Sequence, residues 1–199
     1  EQLSPKIRFL AVVKADGYGH GAVELSRIAV EEGVDFFGVA TIPEAIELRE
    51  AGINRPILVL TEPSEYDHLP SALYYDISLT LYRREFLEVL EHHIKDFHKP
   101  LKLHLKVNTG MNRVGIEPQE ALSFINDITG SPQFQLEGLF THLSDADNHD
   151  TSYTYQQLDA FDALLSGLFQ KQREQLIVHA ANTSAALNHP RSHYDMVRI

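Results

Sequence analysis

The sequence contains no cysteine. Disulfide bonds, thiolate zinc sites and a cysteine nucleophile are therefore excluded. A chain without disulfides fits the cytoplasm, where we expect this protein to act. Long apolar runs are missing as well, because the longest, such as 9–13 and 57–60, fall far short of the roughly 20 residues that a membrane helix requires. We therefore expect a soluble protein with no membrane partner.

Basic side chains are scarce. The sequence has 17 lysines and arginines against 28 aspartates and glutamates, a formal net charge of -11. A general nucleic-acid surface needs a basic footprint, so this balance argues against a nucleic-acid partner and favours small molecules or other subunits. At 199 residues and 43% hydrophobic content, the chain can bury one sizeable core. We expect a single domain over residues 1–199.

Short apolar runs rich in β-branched or aromatic residues alternate with longer amphipathic stretches along the chain. This alternation is typical of repeated βα units around a parallel sheet, and hence of the α/β class. No strand is followed by a dinucleotide-binding glycine fingerprint, so eight strands favour a (β/α)8 TIM-type barrel over an open doubly wound sheet. The predicted strands are Ile7–Val13, Phe36–Ala40, Ile57–Thr61, Asp76–Leu81, Leu101–Val107, Leu136–His142, Leu176–Ala180 and one that begins at Met196.

The amphipathic stretches predict helices between the strands. Pro43 and Pro118 lie where a first-turn proline is tolerated, and Gly33 and Gly52 lie where a helix would end. Segments 62–75 and 191–194 are less regular, and we expect a short helix or a loop in each. The predicted helices are Gly21–Glu32, Pro43–Ala51, Arg84–Phe97, Pro118–Thr129 and Thr154–Gln172.

The two ends of the sequence both look like cuts. The first residue is Glu1 rather than methionine, and residues 195–199 resemble the beginning of a strand. We therefore expect a barrel that is incomplete at both ends, and the missing signal peptide says little about localisation.

Candidate reactive residues come where the predicted strands end, which is where the active site of a βα barrel lies. Lys14 follows the apolar run 9–13, and an uncharged lysine amine in such a place can attack an aldehyde. A glycine-rich segment, 17–21, comes next and lets the backbone approach a ligand closely. The candidates at the other strand ends are Lys106, Arg113, His142, His179–Ser184 and Arg198.

Residues 11–21, Ala-Val-Val-Lys-Ala-Asp-Gly-Tyr-Gly-His-Gly, resemble the cofactor attachment motif of alanine racemases, which use pyridoxal 5′-phosphate (PLP). Further matching segments follow in the family's order, so the resemblance covers essentially the whole chain. It implies interconversion of L- and D-alanine, with D-alanine supplied for peptidoglycan. The further segments are Leu105–Gly115, Thr141-His142, His179–Leu187 and Met196–Ile199.

The resemblance also implies how the cofactor would be held. Lys14 would be the Schiff-base lysine and the base on one face of the substrate α-carbon. Tyr18 would contact the phosphate through its hydroxyl. Asn182, Thr183 and Ser184 would complete the phosphate site after the seventh strand. In a gapless alignment Thr183, not Ser184, takes the place of the family's phosphate-binding serine, which is a departure from the family.

Arg198 resembles the arginine that faces the pyridine nitrogen of PLP. Because arginine does not give up its proton, the ring nitrogen would stay unprotonated and the cofactor would be a weaker electron sink. By the same resemblance, His179 would brace Arg198, and His142 would orient the second base. Arg113 would orient the substrate carboxylate, supported by Lys106, a lysine that this family can carbamylate.

The second base is the main departure. In the family it is a tyrosine from the C-terminal β-domain of the partner subunit, and this chain has no such domain. The resemblance therefore implies a homodimer for the full-length protein, and little or no racemase activity for this piece alone.

Three alternatives stay open. One is a single-domain PLP-binding barrel that serves cofactor homeostasis without racemising a substrate. Another is a racemase for serine or for a broad range of amino acids. The third is a metal-dependent hydrolase using the loop Asp145–Asp150, although a polar loop with capping aspartates is the better interpretation, and no metal site is predicted. We expect His92, His93, His98 and His104 to be solvated or structural.

Overall fold

The computed structural model describes residues 3–199 and shows a closed barrel of eight parallel strands, in which each strand pairs with the next and the last pairs with the first. The predicted (β/α)8 architecture is confirmed, but the expectation of an incomplete barrel is wrong for the strands, because the ring of eight closes within residues 3–199. The strands are β1 Arg8–Val12, β2 Phe36–Val39, β3 Ile57–Val59, β4 Ile77–Leu81, β5 Leu101–Lys106, β6 Phe134–Phe140, β7 Ile177–His179 and β8 Met196–Arg198.

Helices cover the outside of the barrel, and none within residues 3–199 has the length and apolar character to cross a membrane. A 3-10 turn, Pro190–Ser192, precedes β8. The helices are α1 Ala22–Glu31, α2 Ile42–Glu50, α3 Leu69–Tyr74, α4 Glu85–His93, α5 Pro118–Gly130, α6 Ser152–Ser166, α7 Gln170–Gln175 and α8 Thr183–Asn188.

Two predicted helices differ from the structure. The helix predicted over 154–172 is divided into α6 and α7, because Gly167 ends α6 where the chain passes so close to α5 that a Cβ would lie 2.8 Å from a methyl of Leu122. The helix predicted over 84–97 ends at His93. Ile94 leaves the helical conformation and is buried in the core, so tertiary packing overrides the amphipathic pattern there.

The barrel has two apolar cores. The larger one lies between the strands and the surrounding helices and includes Phe37, Phe86, Phe124 and Phe161, which are all fully buried. The smaller one fills one side of the barrel interior and consists of Leu10, Phe36, Leu58 and Met196. Most of the other interior side chains are polar, although Phe140 also lies among them.

These interior polar groups follow from the two-residue period of a strand. In β5 the leucines 101, 103 and 105 face the helices, whereas Lys102, His104 and Lys106 alternate with them on the other face. His104 is 0% exposed, so its ring nitrogens need hydrogen-bond partners inside the barrel.

We expect Gly138→Ala to destabilise the fold. Gly138 in β6 is paired with His104, and an added Cβ would lie 2.2 Å from Nδ1 of that buried ring. Overpacking of this kind costs roughly 1–3 kcal/mol in the free energy of unfolding, measurable by urea denaturation. Gly130→Ala is the matched control, because a Cβ there meets nothing within 4 Å. Equal stability of the two variants would contradict close packing at position 138.

Candidate active site

A cavity of about 180 Å³ opens at the C-terminal ends of the strands. That is the end at which βα barrels carry their active sites. Most of the residues singled out in the sequence line it together, joined by side chains of β1 and β6 and of the residues that follow β3 and β8. The lining consists of Val12, Lys14, Tyr18, Leu60, Thr61, Lys106, Arg113, Phe140, His142, Asn182, Thr183, Arg198 and Ile199.

A single turn of left-handed helix, Lys14–Gly19, follows β1. Residues 15–18 all have φ between 51° and 59°, a conformation that costs a residue other than glycine roughly 1–2 kcal/mol. The turn brings Lys14 and Tyr18 into the same cavity, with Nζ of Lys14 5.9 Å from the centre of the Tyr18 ring.

Two carboxylates outside the cavity hold this turn in place. Oε1 of Glu44 accepts from the backbone N–H of Ala15 at 2.9 Å, while its Oε2 accepts from the N–H groups of Ala40 and Thr41. Oδ1 of Asp16 accepts from the N–H of Ala22 at 2.7 Å and so caps α1. Neither carboxylate was among the candidate residues. The hydrogen bonds offset part of the conformational cost of the turn.

Arg198 is 6% exposed, and both of its terminal nitrogens donate hydrogen bonds. Its Nη1 donates to Nδ1 of His179 at 2.9 Å, and its Nη2 donates to the carbonyl oxygens of Thr141 and Ala180, each at 3.0 Å. Nη2 also lies 3.3 Å from Nδ1 of His142. Burial lowers the pKa of Arg198 to about 10, so the guanidinium is still protonated at neutral pH.

Four cationic side chains line the cavity, and its described lining residues include no aspartate or glutamate. They are Lys14, Lys106, Arg113 and Arg198. Burial and the three other cations lower the pKa of Lys106 to about 8. Burial and the same cations lower the pKa of His142 to about 3, so that ring is neutral at physiological pH. A cavity of this charge favours an anionic ligand, in contrast to the acidic chain as a whole.

Arg113 is carried by a loop with a rigid base. Oδ1 of Asn108 accepts from the backbone N–H groups of Gly110 and Asn112, and its Nδ2 donates to Oε1 of Glu117 at 2.8 Å. The backbone N–H of Asn108 donates to the carbonyl oxygen of Ile116 at 2.8 Å, which closes the loop. Arg113 itself is exposed at the cavity rim.

Only some of the polar residues that follow β7 reach the cavity. Asn182 and Thr183 line the cavity, whereas Ser184 does not. The side chain of Asn182 is already committed: its Oδ1 accepts from the N–H of Ala185 and its Nδ2 donates to the carbonyl oxygen of Leu143. The Thr183 hydroxyl is therefore the side-chain donor of this segment that faces the cavity. His179 is fully buried and lies behind Arg198 rather than in the lining.

The sequence did not single out Phe140, which forms part of the cavity wall. Its ring stacks on the ring of His179, with centroids 4.7 Å apart and planes at 3°. Nζ of Lys106 and Cζ of Arg198 each lie 5.4 Å from the centre of the Phe140 ring, so two cations face its π-system. Phe140 is the last residue of β6, just before Thr141-His142, and this position at a strand end could have indicated a place in the cavity wall.

The loop Asp145–Asp150 has the hydrogen bonds of a capped polar loop. Oδ2 of Asp145 accepts from the side chain of Asn148, and Oδ1 of Asp150 accepts from the N–H of Ser152 at the start of α6. Within residues 3–199, no three histidine, aspartate or glutamate side chains are grouped as a metal site would require.

Comparison with known proteins gives a consistent result. The family described as alanine racemase, N-terminal domain, matches residues 1–199. Alanine racemase 1 of Oceanobacillus iheyensis is 39% identical over 198 residues, which cover 99% of this chain and 52% of that protein. The alanine racemase of Methanococcus maripaludis is 40% identical over 196 residues, which cover 98% of this chain and 52% of that protein.

A solved structure from the same family has a similar fold and a similar level of sequence identity. The crystal structure of alanine racemase from E. faecalis superposes with a TM-score of 0.91 at 40% identity, covering 99% of this chain and 53% of that one. The chain thus spans about half the length of the relatives it matches. Because the family matches it from end to end, this chain belongs to the alanine racemase N-terminal domain family.

Proposed function

We propose that this chain is the cofactor-carrying barrel of a PLP-dependent alanine racemase. The observation that carries the proposal is the cavity in which the amine of Lys14 lies among Lys106, Arg113 and Arg198, with no aspartate or glutamate in the described lining. PLP offers an aldehyde, a phosphate and a ring nitrogen, and an amino acid adds a carboxylate. Family membership supports the same assignment.

The donor set at the cavity fits PLP group by group. The Lys14 amine matches the aldehyde, with which it would bond covalently. The hydroxyls of Tyr18 and Thr183 match the phosphate. Arg198 can only donate hydrogen bonds, so it matches an unprotonated ring nitrogen. Ser184 does not line the cavity, so we assign the phosphate contact to Thr183 and to backbone N–H groups of segment 182–184.

When bound, PLP supplies the electron-withdrawing ring that makes the α-hydrogen of an amino acid acidic. Nζ of Lys14 would accept that proton on one face of the α-carbon. Arg113 would hold the substrate carboxylate, and Lys106 would support Arg113. The lowered pKa of Lys106 leaves more of it as the neutral amine, which is the form that carbon dioxide carbamylates.

His142 has a different task. Its depressed pKa and its contact with Arg198 make it a neutral ring of fixed orientation, suited to positioning a proton donor rather than to carrying charge. We assign the proton donor on the opposite face to a tyrosine outside this chain, as in the family. For the whole protein we propose a homodimer that completes the site and supplies D-alanine for peptidoglycan.

Hydrogen isotope exchange tests whether this chain provides only one of the two acid–base groups. In D2O with PLP, we expect this chain to exchange the α-hydrogen of one alanine enantiomer with retention of configuration. Racemisation should be slower than exchange by at least about 100-fold, because one of two acid–base groups is missing. Proton NMR measures the exchange and chiral chromatography measures the inversion, with PLP alone as the control.

The other outcomes are equally informative. Inversion as fast as exchange would show that both bases lie within this chain and would contradict the assignment of the second base. Bound PLP without any exchange would overturn the racemase proposal and favour a barrel that only carries the cofactor. Faster exchange of serine than of alanine would change the substrate.

A further inference from the structure

A chain of hydrogen bonds crosses the barrel interior from Arg198 to a carboxylate on another strand. Nη1 of Arg198 donates to Nδ1 of His179, and Nε2 of His179 lies 3.0 Å from Nδ1 of His104. Nε2 of His104 lies 3.0 Å from Oε2 of Glu137. The same oxygen accepts from the hydroxyl of Ser78 at 2.6 Å. Five strands, β4 to β8, contribute one residue each.

The groups at the two ends of this series of hydrogen bonds determine which atom donates and which accepts in each of them. Arginine has no acceptor, so Nδ1 of His179 must accept and the proton of that ring must be on Nε2. Nδ1 of His104 must then accept, which places its proton on Nε2, facing Glu137. Oε2 of Glu137 must therefore accept from both His104 and Ser78, which favours the ionised carboxylate. Only one tautomer of each imidazole satisfies all of these contacts.

The electrostatics agree with this order. Burial and the charge of Arg198 hold the pKa of His179 well below its usual value, so that ring is neutral. Burial would raise the pKa of Glu137, but hydrogen bonds from His104 and Ser78 and the charge of Lys102 lower it overall. The ionised carboxylate thus balances the buried guanidinium through two neutral rings.

We infer that Glu137, outside the cavity, is a positioning residue that fixes the tautomers of His104 and His179 and thereby holds the Arg198 guanidinium in one orientation at the cavity. The tautomers of the two rings follow from the hydrogen bonds of this protein alone and do not depend on the proposed function. The effect on cofactor binding rests on the proposed function. His104, which the sequence suggested was solvated or structural, is the central member of the chain.

The test compares three variants of this chain. Glu137→Leu removes the acceptor, and Glu137→Gln keeps an amide oxygen at the same place but removes the charge. Asp76→Asn is the matched control: Asp76 also pairs with Lys102, and its loss removes one negative charge without touching the chain of hydrogen bonds. The ring nitrogens of His104 and His179 are observed by 15N-1H NMR without cofactor, and PLP binding is titrated separately.

We expect wild type, Glu137→Gln and Asp76→Asn to show only the Nε2–H tautomer of His179. In Glu137→Leu the Nε2–H of His104 has no acceptor, so the reversed tautomers, with Arg198 turned away from His179, compete with the wild-type order. We expect this variant to show a mixture of tautomers and to bind PLP about tenfold more weakly, the effect of losing one well-placed hydrogen bond. Unchanged tautomers in Glu137→Leu would overturn the inference. If that variant fails to fold, a mixture already present in the wild-type NMR spectrum would overturn it instead.

A failure of the proposed function gives a different result. In that case the wild type does not bind PLP at all, while the tautomer spectra still decide whether Glu137 fixes the two rings. If wild type binds PLP and Glu137→Leu changes the tautomers but not the affinity, the link from Glu137 to the cavity is wrong.

Discussion

Lys14→Ala is expected to abolish covalent attachment of PLP and to reduce α-hydrogen exchange by at least about 1,000-fold, because one side chain provides both the amine and the base. After addition of PLP and reduction with borohydride, mass spectrometry should find the cofactor on Lys14 of the wild type and on no residue of the variant. The visible absorption band of the bound cofactor should be lost in parallel.

The matched control is Lys171→Ala, which removes an exposed lysine of α7 on the outside of the barrel. This variant should keep the absorption band, the site of modification and the exchange rate of the wild type. Persistence of the band in Lys14→Ala, or modification of Lys106 in the wild type, would remove Lys14 from its assigned role.

Arg198→Met is expected to lower the free energy of unfolding by roughly 3 kcal/mol, even without cofactor. The guanidinium serves Nδ1 of His179 and the carbonyl oxygens of Thr141 and Ala180, all inside the barrel. Methionine fills similar space but donates nothing, and each buried acceptor left unpaired costs about 1–3 kcal/mol. Urea denaturation followed by circular dichroism measures the difference.

Arg191→Met is the control for this substitution. Arg191 bonds Asp159 and Asp162 on the surface, with 40% of its side chain exposed. Exposed ion pairs of this kind contribute about 0–1 kcal/mol, so the control should lie close to wild type. A loss in Arg198→Met no larger than in Arg191→Met would mean that water replaces the guanidinium, and that Arg198 is less well enclosed than described.

The fold could be predicted from the sequence because its determinants are local. Each strand is a short apolar run, each helix an amphipathic stretch, and right-handed βα connections leave few ways to arrange eight such units. The site could be located for the same reason, since strand ends of a barrel converge. The predicted strands and the observed ones differ by only a few residues at their ends.

The remaining features depend on register and packing. The contact of His104 with His179 and Glu137 joins three strands and includes an irregularity in the pairing of β5 with β6 next to His104. One local signal existed: the alternation of polar and apolar residues through 101–106 in a strand covered on both faces implies polar groups inside the barrel. The left-handed turn after Lys14 had only a weak signal: Asp16 and Gly17 tolerate that conformation, but Ala15 and Tyr18 rarely adopt it.

Closure of the barrel has a further consequence. Lys14 follows the first strand and Arg198 ends the last one, and the two strands pair directly, with Leu10 opposite Arg198. A ligand held by both residues would therefore link the first strand of the barrel to the last one. Only the closed barrel presents both residues to the ligand, so binding would stabilise the pairing of β1 with β8 against opening. The free energy of this stabilisation would grow with the logarithm of the ligand concentration.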